Sequence, residues 1–194
     1  MRTTDILGEE HRWIRDMLEC LSRVIQISIE SEKVDIAAAE LLSLFESFAD
    51  GSHQLKEERV LFPRLMQRAS AREDDLLHEL HLDHGRDRHL MRSMQSNLLG
   101  AVHGEPLCLR EFVGQASSYV RLHERHMRHE NEALFPLAER LLTQGDDLDI
   151  VEGFTQLDAQ GRTRPEGIRR RIDALCERLG VPASDCTPAG GGTG

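Results

Sequence analysis

His53-Gln54-Leu55-Lys56-Glu57, followed by Leu61-Phe62-Pro63, returns 73 positions later as His126-Met127-Arg128-His129-Glu130, followed by Leu134-Phe135-Pro136. The same offset carries Glu10-His11 onto Asp83-His84, and the stripe Leu7, Leu18, Leu21, Ile25 onto Leu80, Met91, Met94, Leu98. A chain that repeats both its apolar stripe and its polar interruptions in one register is built from two copies of one helix hairpin. Around these motifs, apolar residues recur at helical spacing in four long segments, about Thr4 to Ser31, Asp35 to Ala69, Ala71 to Val102 and Pro106 to Leu142. In the first, Leu7, His11, Ile14, Leu18, Leu21 and Ile25 step by alternating fours and threes, the seam of a helix in a bundle. Thr4 and Asp35 are expected N-caps, Pro106 a first-turn residue, and bends are expected at Gly51, Pro63 and Pro136.

The expectation is an all-α fold: an up-down-up-down four-helix bundle over 1–145, a short C-terminal helical appendage over 146–180, and a flexible, disordered Gly-rich tail over 181–194. Within the appendage a helix is expected from about Asp147 to Leu157 and a basic amphipathic one from about Pro165 to Leu179. Ile168, Ile172, Leu175 and Leu179 should pack on the main body. Arg162, Arg164, Arg169, Arg170, Arg171 and Arg178 should form a solvated cationic face that offsets an acidic bundle.

Composition agrees. Aromatic residues make up only 4% of the 194, while Leu, Ala, Glu and Arg abound, which favours helices because straight-chain residues lose little rotamer freedom there. A chain of this length buries about 70% of its unfolded surface and needs no disulfide or metal merely to hold a core. A net charge of −10 argues against a polyanionic partner, so no nucleic acid is expected. No run of about 20 apolar residues crosses a bilayer, and the first ten residues lack the apolar core of a secretion signal, so no membrane partner and a cytoplasmic location are expected. Cys20, Cys108, Cys176 and Cys186 show no Cys-x-x-Cys spacing and read as buried or idle thiols in a reducing compartment.

The chemistry sits where the apolar seams are broken. A bare imidazole or carboxylate facing a core is costly unless paired or bound to a cation. His53 and Glu57, like His126 and Glu130, are four residues apart, about 40° of helical rotation, and so point from one face. One such pair is ordinary on a wet helix; two in register are not. When four helices close, His11, His53, Glu57, His84, His126 and Glu130 can converge on the axis as four neutral nitrogens and two carboxylates. Imidazole suits Fe, Zn, Cu or Ni, carboxylates can bridge two cations, and no thiolate enters the seam. Two iron ions explain the arrangement best. With both Glu bridging and an oxo or hydroxo bridge added, each iron keeps an open position for dioxygen, peroxide or nitric oxide.

On Glu10-His11-x-x-Ile14, Phe48-Ala49-Asp50-Gly51-x-His53-x-x-Lys56-Glu57-Glu58-x-x-Leu61-Phe62-Pro63, Asp83-His84-Gly85-Arg86 and His126-x-x-x-Glu130-x-x-x-Leu134-Phe135-Pro136, the chain resembles the hemerythrin-like, or HHE cation-binding, family over roughly 4 to 142. The resemblance implies an up-down-up-down bundle around a non-haem di-iron centre, in a family that variously carries oxygen, senses iron or oxygen, or acts on peroxide and nitrogen oxides. The oxygen carriers have a further His four residues after the third-helix His, where this chain has Arg88. Their last carboxylate is an Asp five residues after its His, where this chain has Asn131 and offers Glu130 one position earlier. The departures point to redox turnover or metal sensing more than to reversible oxygen carriage. A non-catalytic iron or oxygen sensor or metal store, and a bundle holding zinc structurally, are the alternative readings.

Other polar residues are weighed against blander roles. His81 and His123 each precede a seam His by three and could supply a fifth nitrogen, though a surface or supporting role is favoured. Asp87, in register with Ile14, could hydrogen-bond a ligand His or bind metal directly. Glu58 could swing in as an alternative carboxylate, but with Asn131 as its repeat mate it is expected to face solvent, and His78, His89, His103 and His129 to lie on the surface. Tyr119, seven residues before His126, is expected as core filler whose hydroxyl could reach a bound oxygen species. Phe45, Phe48, Phe62 and Phe135 are expected to keep water out, and Met91 and Met94 to be core.

Overall fold

The computed structural model describes residues 2–160 and 165–182; Arg162, Arg164, Cys186 and the tail from 183 onward lie outside the described residues. Among the described residues the chain is helical with short connections and contains no strand. Helix α1 spans Thr3–Ser31. A continuous helical rod over 37–66, here α2, follows. Helix α3 is Ala71–Val102, α4 is a rod over 106–141, α5 is Gln144–Gln160 and α6 is Pro165–Leu179. No helix among the described residues is long and apolar enough to cross a membrane.

Helix starts follow local chemistry. The Ser70 N–H donates to the Glu73 carboxylate (2.6 Å) at the head of α3, and the Ala37 N–H donates to Asp35 (2.7 Å) at the head of α2. Thr4 is not the cap of α1. The helix already begins at Thr3, and the backbone N–H of Arg2 donates to Asp5 (2.8 Å). The Thr3 hydroxyl instead donates to Asp147 of α5 (2.6 Å).

α3 and α4 run antiparallel along their full length, with contacts passing from Glu73–Arg140 through Asp83–Arg125 and Asp87–His123 to Gly100 against Cys108. A Cβ on Gly100 would lie 2.5 Å from Cys108 Sγ, so the close approach of the two helices requires glycine there.

Next to Gly51, Pro63 and Pro136, where bends are expected, the helices carry π-helical turns, in which each N–H reaches five residues back. One runs over Phe45–His53, and two short ones over Glu57–Leu61 and Glu130–Leu134 end two residues before a proline. The Phe62 N–H bonds the Glu57 carbonyl and the Phe135 N–H bonds the Glu130 carbonyl. Pro63 and Pro136 lack the N–H that would continue the α-helical ladder, so that ladder is already open where the bonding shifts. At Gly51 a Cβ would stand 2.9 Å from the Glu46 carbonyl oxygen five residues back, which fits the long π run to glycine.

Among the described residues two apolar clusters fill the interior. One includes Ile14, Met17, Leu41, Phe45, Ala49, Met91, Met94 and Tyr119; the other includes Leu7, Leu61, Phe62, Leu80, Leu134 and Phe135. On each long segment the switch from one cluster to the other falls at the seam histidines, so a polar layer divides the core. α6 adds Ile168, Ile172, Leu175 and Leu179 to the first cluster, packing against α1 and α2. Its cationic face is paired with the bundle rather than merely solvated: Arg169 donates to Asp16 (2.6 Å), and Arg171 and Arg178 approach Glu40. Val181, placed in the tail by its sequence, packs against the core and its N–H bonds the Cys176 carbonyl (2.9 Å).

Candidate metal centre

Six buried side chains meet in the dividing layer: His11 from α1, His53 and Glu57 from α2, His84 from α3, and His126 and Glu130 from α4. His11 Nε2 lies 3.1 Å from Glu130 Oε2, and His126 Nε2 lies 3.0 Å from Glu130 Oε1. His84 Nε2 lies 3.3 Å from Glu57 Oε2, and His53 Nε2 lies 3.8 Å from Glu57 Oε1. The donors sort into two sets of four, His11, His53, Glu57, Glu130 and His84, His126, Glu57, Glu130, which share both carboxylates. Each short π turn begins on one of those carboxylates. Such turns concentrate at functional sites because they re-aim side chains out of the α-helical register.

The contacts obey an approximate two-fold relation between the halves. Glu57 reaches across to His84 and Glu130 to His11. The next residue does the same on the outer ring nitrogen: Glu58 Oε1 lies 2.8 Å from His84 Nδ1, and Asn131 Oδ1 lies 3.2 Å from His11 Nδ1. Phe62 stacks on the His84 ring and Phe135 on the His11 ring, with centroids 5.9 and 5.2 Å apart. The residue before each first-helix His turns to the second-helix His of its own half. Glu10 Oε2 lies 2.9 Å from His53 Nδ1, and Asp83 Oδ2 lies 3.9 Å from His126 Nδ1. The Glu10 and Glu58 carboxylates and the Asn131 carbonyl favour a proton on Nδ1 of His53, His84 and His11 and turn Nε2 of each ring inward, where His84 Nε2 and His126 Nε2 lie 3.1 Å apart and share a hydrogen bond.

The supporting residues are what sequence reading missed. Glu58, expected in solvent, is half-buried and binds both His84 and Arg88. Arg88 and Asn131, at positions where the oxygen carriers have ligands, hold Glu58 and His11 instead. Lys56 is buried, pairs with Glu10, and lies 2.8 Å from Asp158 of α5. The Glu-His and Asp-His dipeptides were visible in the repeat, but nothing local reveals that each acid serves a histidine on the neighbouring helix.

One turn away lies a second polar cluster. Asp87 accepts from the Gln54 amide (2.8 Å) and lies 2.6 Å from His123 Nε2, so it joins neither of the two four-residue sets. The Tyr119 ring packs edge-on to Phe45 and His123 with its hydroxyl buried. His81 is half exposed and groups with Glu58 and His84. His78, His89 and His103 are exposed, and His129 is partly so.

Charge follows from this crowding. Burial opposes protonation of His84, but the Glu57 and Glu58 carboxylates outweigh it and raise its pKa to about 10. His53 and His126 are raised in the same way, against burial, by Glu57 and Glu10 and by Glu130 respectively. Burial would raise Glu130, yet His126 and His11 hold it well below the usual carboxylate range. Burial and the neighbouring Asp87 charge push Asp50 up to about 7.

His11 Nε2, His53 Nε2 and both oxygens of Glu57 and Glu130 have no hydrogen-bond partner despite separations of 3.0 to 3.8 Å. Buried donors that approach without hydrogen-bond alignment are the arrangement expected of ligands aimed at shared cations. The family model for the hemerythrin HHE cation-binding domain matches residues 2–138. The chain belongs to the hemerythrin HHE family. No curated protein and no solved structure matches it. The hemerythrin match covers all six central donors and their supports except Asp158, which α5 contributes from beyond it.

Proposed function

We propose that this hemerythrin-family chain is an up-down-up-down bundle holding two iron ions between its halves and reacting there with a small oxidant: dioxygen, peroxide or nitric oxide. The reading is carried by the two four-donor sets that share Glu57 and Glu130. His11 and His53 would hold one ion and His84 and His126 the other, with the two carboxylates common to both. Iron bound there would supply redox-active cations with open coordination positions.

The chain's own residues set the conditions. Glu10, Glu58 and Asn131 fix ring orientation through Nδ1, and Phe62 and Phe135 close the layer against water. Two carboxylates facing four neutral imidazoles would offset two of the four positive charges of a ferrous pair, and cations would take the place of the protons the crowded site otherwise holds.

The test is metal content by elemental analysis of protein purified without added metal, together with its visible absorption before and after air. Two irons per chain and a visible band that changes on exposure to air are expected. Glu57→Ala should lose both ions and any turnover of peroxide or nitric oxide, because that carboxylate belongs to both sets. A colourless zinc protein, or a Glu57→Ala variant that keeps one ion, overturns the shared-carboxylate reading.

One observation favours a sensing role as a second reading. Asp158 of α5 touches Lys56, Lys56 pairs with Glu10, and Glu10 holds His53, so the centre is linked to the C-terminal helices. On that reading α5 becomes more protease-sensitive when metal is removed. Equal cleavage of both forms excludes it.

A further inference from the structure

Cys20 of α1 and Cys176 of α6 are separated by 156 residues, yet their sulfurs lie 3.3 Å apart in the buried seam between the two helices. Both side chains are essentially inaccessible, and both are free thiols. A disulfide has an S–S length of about 2.05 Å, so closing the bond requires roughly 1.3 Å of sulfur movement, within reach of small side-chain rotations. Around the pair, Ile172 and Leu175 are buried in the core cluster, and the Arg169–Asp16 bond (2.6 Å) pins α6 to α1 beside them. The pair belongs to this seam and takes no part in the His/Glu centre.

We infer that Cys20 and Cys176 form a reversible disulfide under peroxide, clamping the C-terminal helix α6 to the bundle. Thiol oxidation proceeds through the thiolate. One thiolate attacks a peroxide oxygen, the O–O bond breaks, and the sulfur becomes a sulfenic acid with loss of water. The second thiolate attacks that sulfur, the S–O bond breaks, the S–S bond forms and a second water leaves. Two thiols give up two electrons and two protons, and one peroxide becomes two waters. Burial raises the pKa of both thiols, so the pair stays reduced in resting protein and oxidises under sustained peroxide or when the seam loosens. Locking residues so far apart in sequence constrains the unfolded chain strongly.

The experiment treats the reduced full-length protein with hydrogen peroxide over time, unfolds samples in the presence of an alkylating agent, and maps the peptides by mass. The expected result is a Cys20–Cys176 linked peptide pair, reversed by dithiothreitol and dominant over any link to Cys108 or Cys186. The oxidised protein should melt about 5–10 °C higher than the reduced form. Cys176→Ser should show neither the link nor the rise. Should that variant fail to fold, the peptide map of the unsubstituted protein decides alone. Two alkylated thiols after treatment, a dominant link to Cys108 or Cys186, or a linked protein that melts no higher than the reduced one each overturns the proposal.

Discussion

His53 and His126 occupy equivalent places in the two halves, and their surroundings differ sharply. Behind His53, Glu10 is 6% exposed and pairs with Lys56, itself 1% exposed, and α5 seals the pair with Asp158 and Phe154. Behind His126, Asp83 stands at 3.9 Å and is held by Arg86 and Arg125, whose side chains are 61% and 60% exposed. Asp83 is itself 5% exposed, so the same duplicated hairpin has been finished with a buried carboxylate on both sides, met by a buried cation on one and by two solvent-facing cations on the other. A family match ending at residue 138 does not include the helix that makes this difference. Duplication fixes which donors enter the centre, whereas the later elements determine how firmly each is held.

The largest effect should come from cutting the buried chain. Lys56→Met leaves Glu10 and Asp158 without their cation, and breaking a buried pair by removing one partner costs about 3–5 kcal/mol. Arg125→Met removes an exposed cation and should cost less than about 1 kcal/mol. Urea unfolding of the two variants measures both. Equal losses would show that the two sides are supported alike.

Metal affinity should follow the same asymmetry. Supporting partners of a ligand histidine are worth about 10–100-fold in affinity, and Glu10 makes the closer contact. Competition titration with a chelator should give a loss in that range for Glu10→Gln and a smaller one for Asp83→Asn. A larger loss in Asp83→Asn would reverse the ranking drawn from the distances.

The repeat offset makes most of this arrangement legible in the sequence alone. The four segments, the convergence of the six His and Glu side chains and the placing of Phe62 and Phe135 beside them all follow from matching one half to the other, because periodicity and register are local properties of the chain. The π turns were not legible: Leu-Phe-Pro marks a proline bend, and only tertiary packing determines that the bonding shifts upstream so that Glu57 and Glu130 start the widened turns. Glu58 was read as solvent-facing since its mate is Asn131, yet both serve the same function by crossing to the other half. Nothing in the repeat singles out Lys56, because the helix that covers it begins some 90 positions later in the chain. Partnerships between helices are fixed by three-dimensional contact, and a single sequence records them only where a repeat exposes the rule.

The smallest predicted effect concerns that last pair, in which Glu58 carries a charge and Asn131 does not. Burial would raise the Glu58 pKa, but His84 and Arg88 lower it to about 2 from an ordinary value of 4.5. A carboxyl whose folded pKa is depressed contributes stability above its unfolded pKa and loses that contribution as pH falls toward the folded value. In metal-free protein the Glu58 contribution is therefore complete above pH 4.5 and disappears between 4.5 and 2. Glu58 remains partly open to solvent, which screens the interaction to about 1 kcal/mol. Glu58→Gln should lower stability by that amount at neutral pH and match the unsubstituted protein near pH 2, whereas Asn131→Ala should shift stability equally at all pH values. Denaturant unfolding across this range separates the two. A pH-independent difference for Glu58→Gln would mean that the residue acts by packing and hydrogen bonding alone, and that the two halves hold their first-helix histidines by the same uncharged contact.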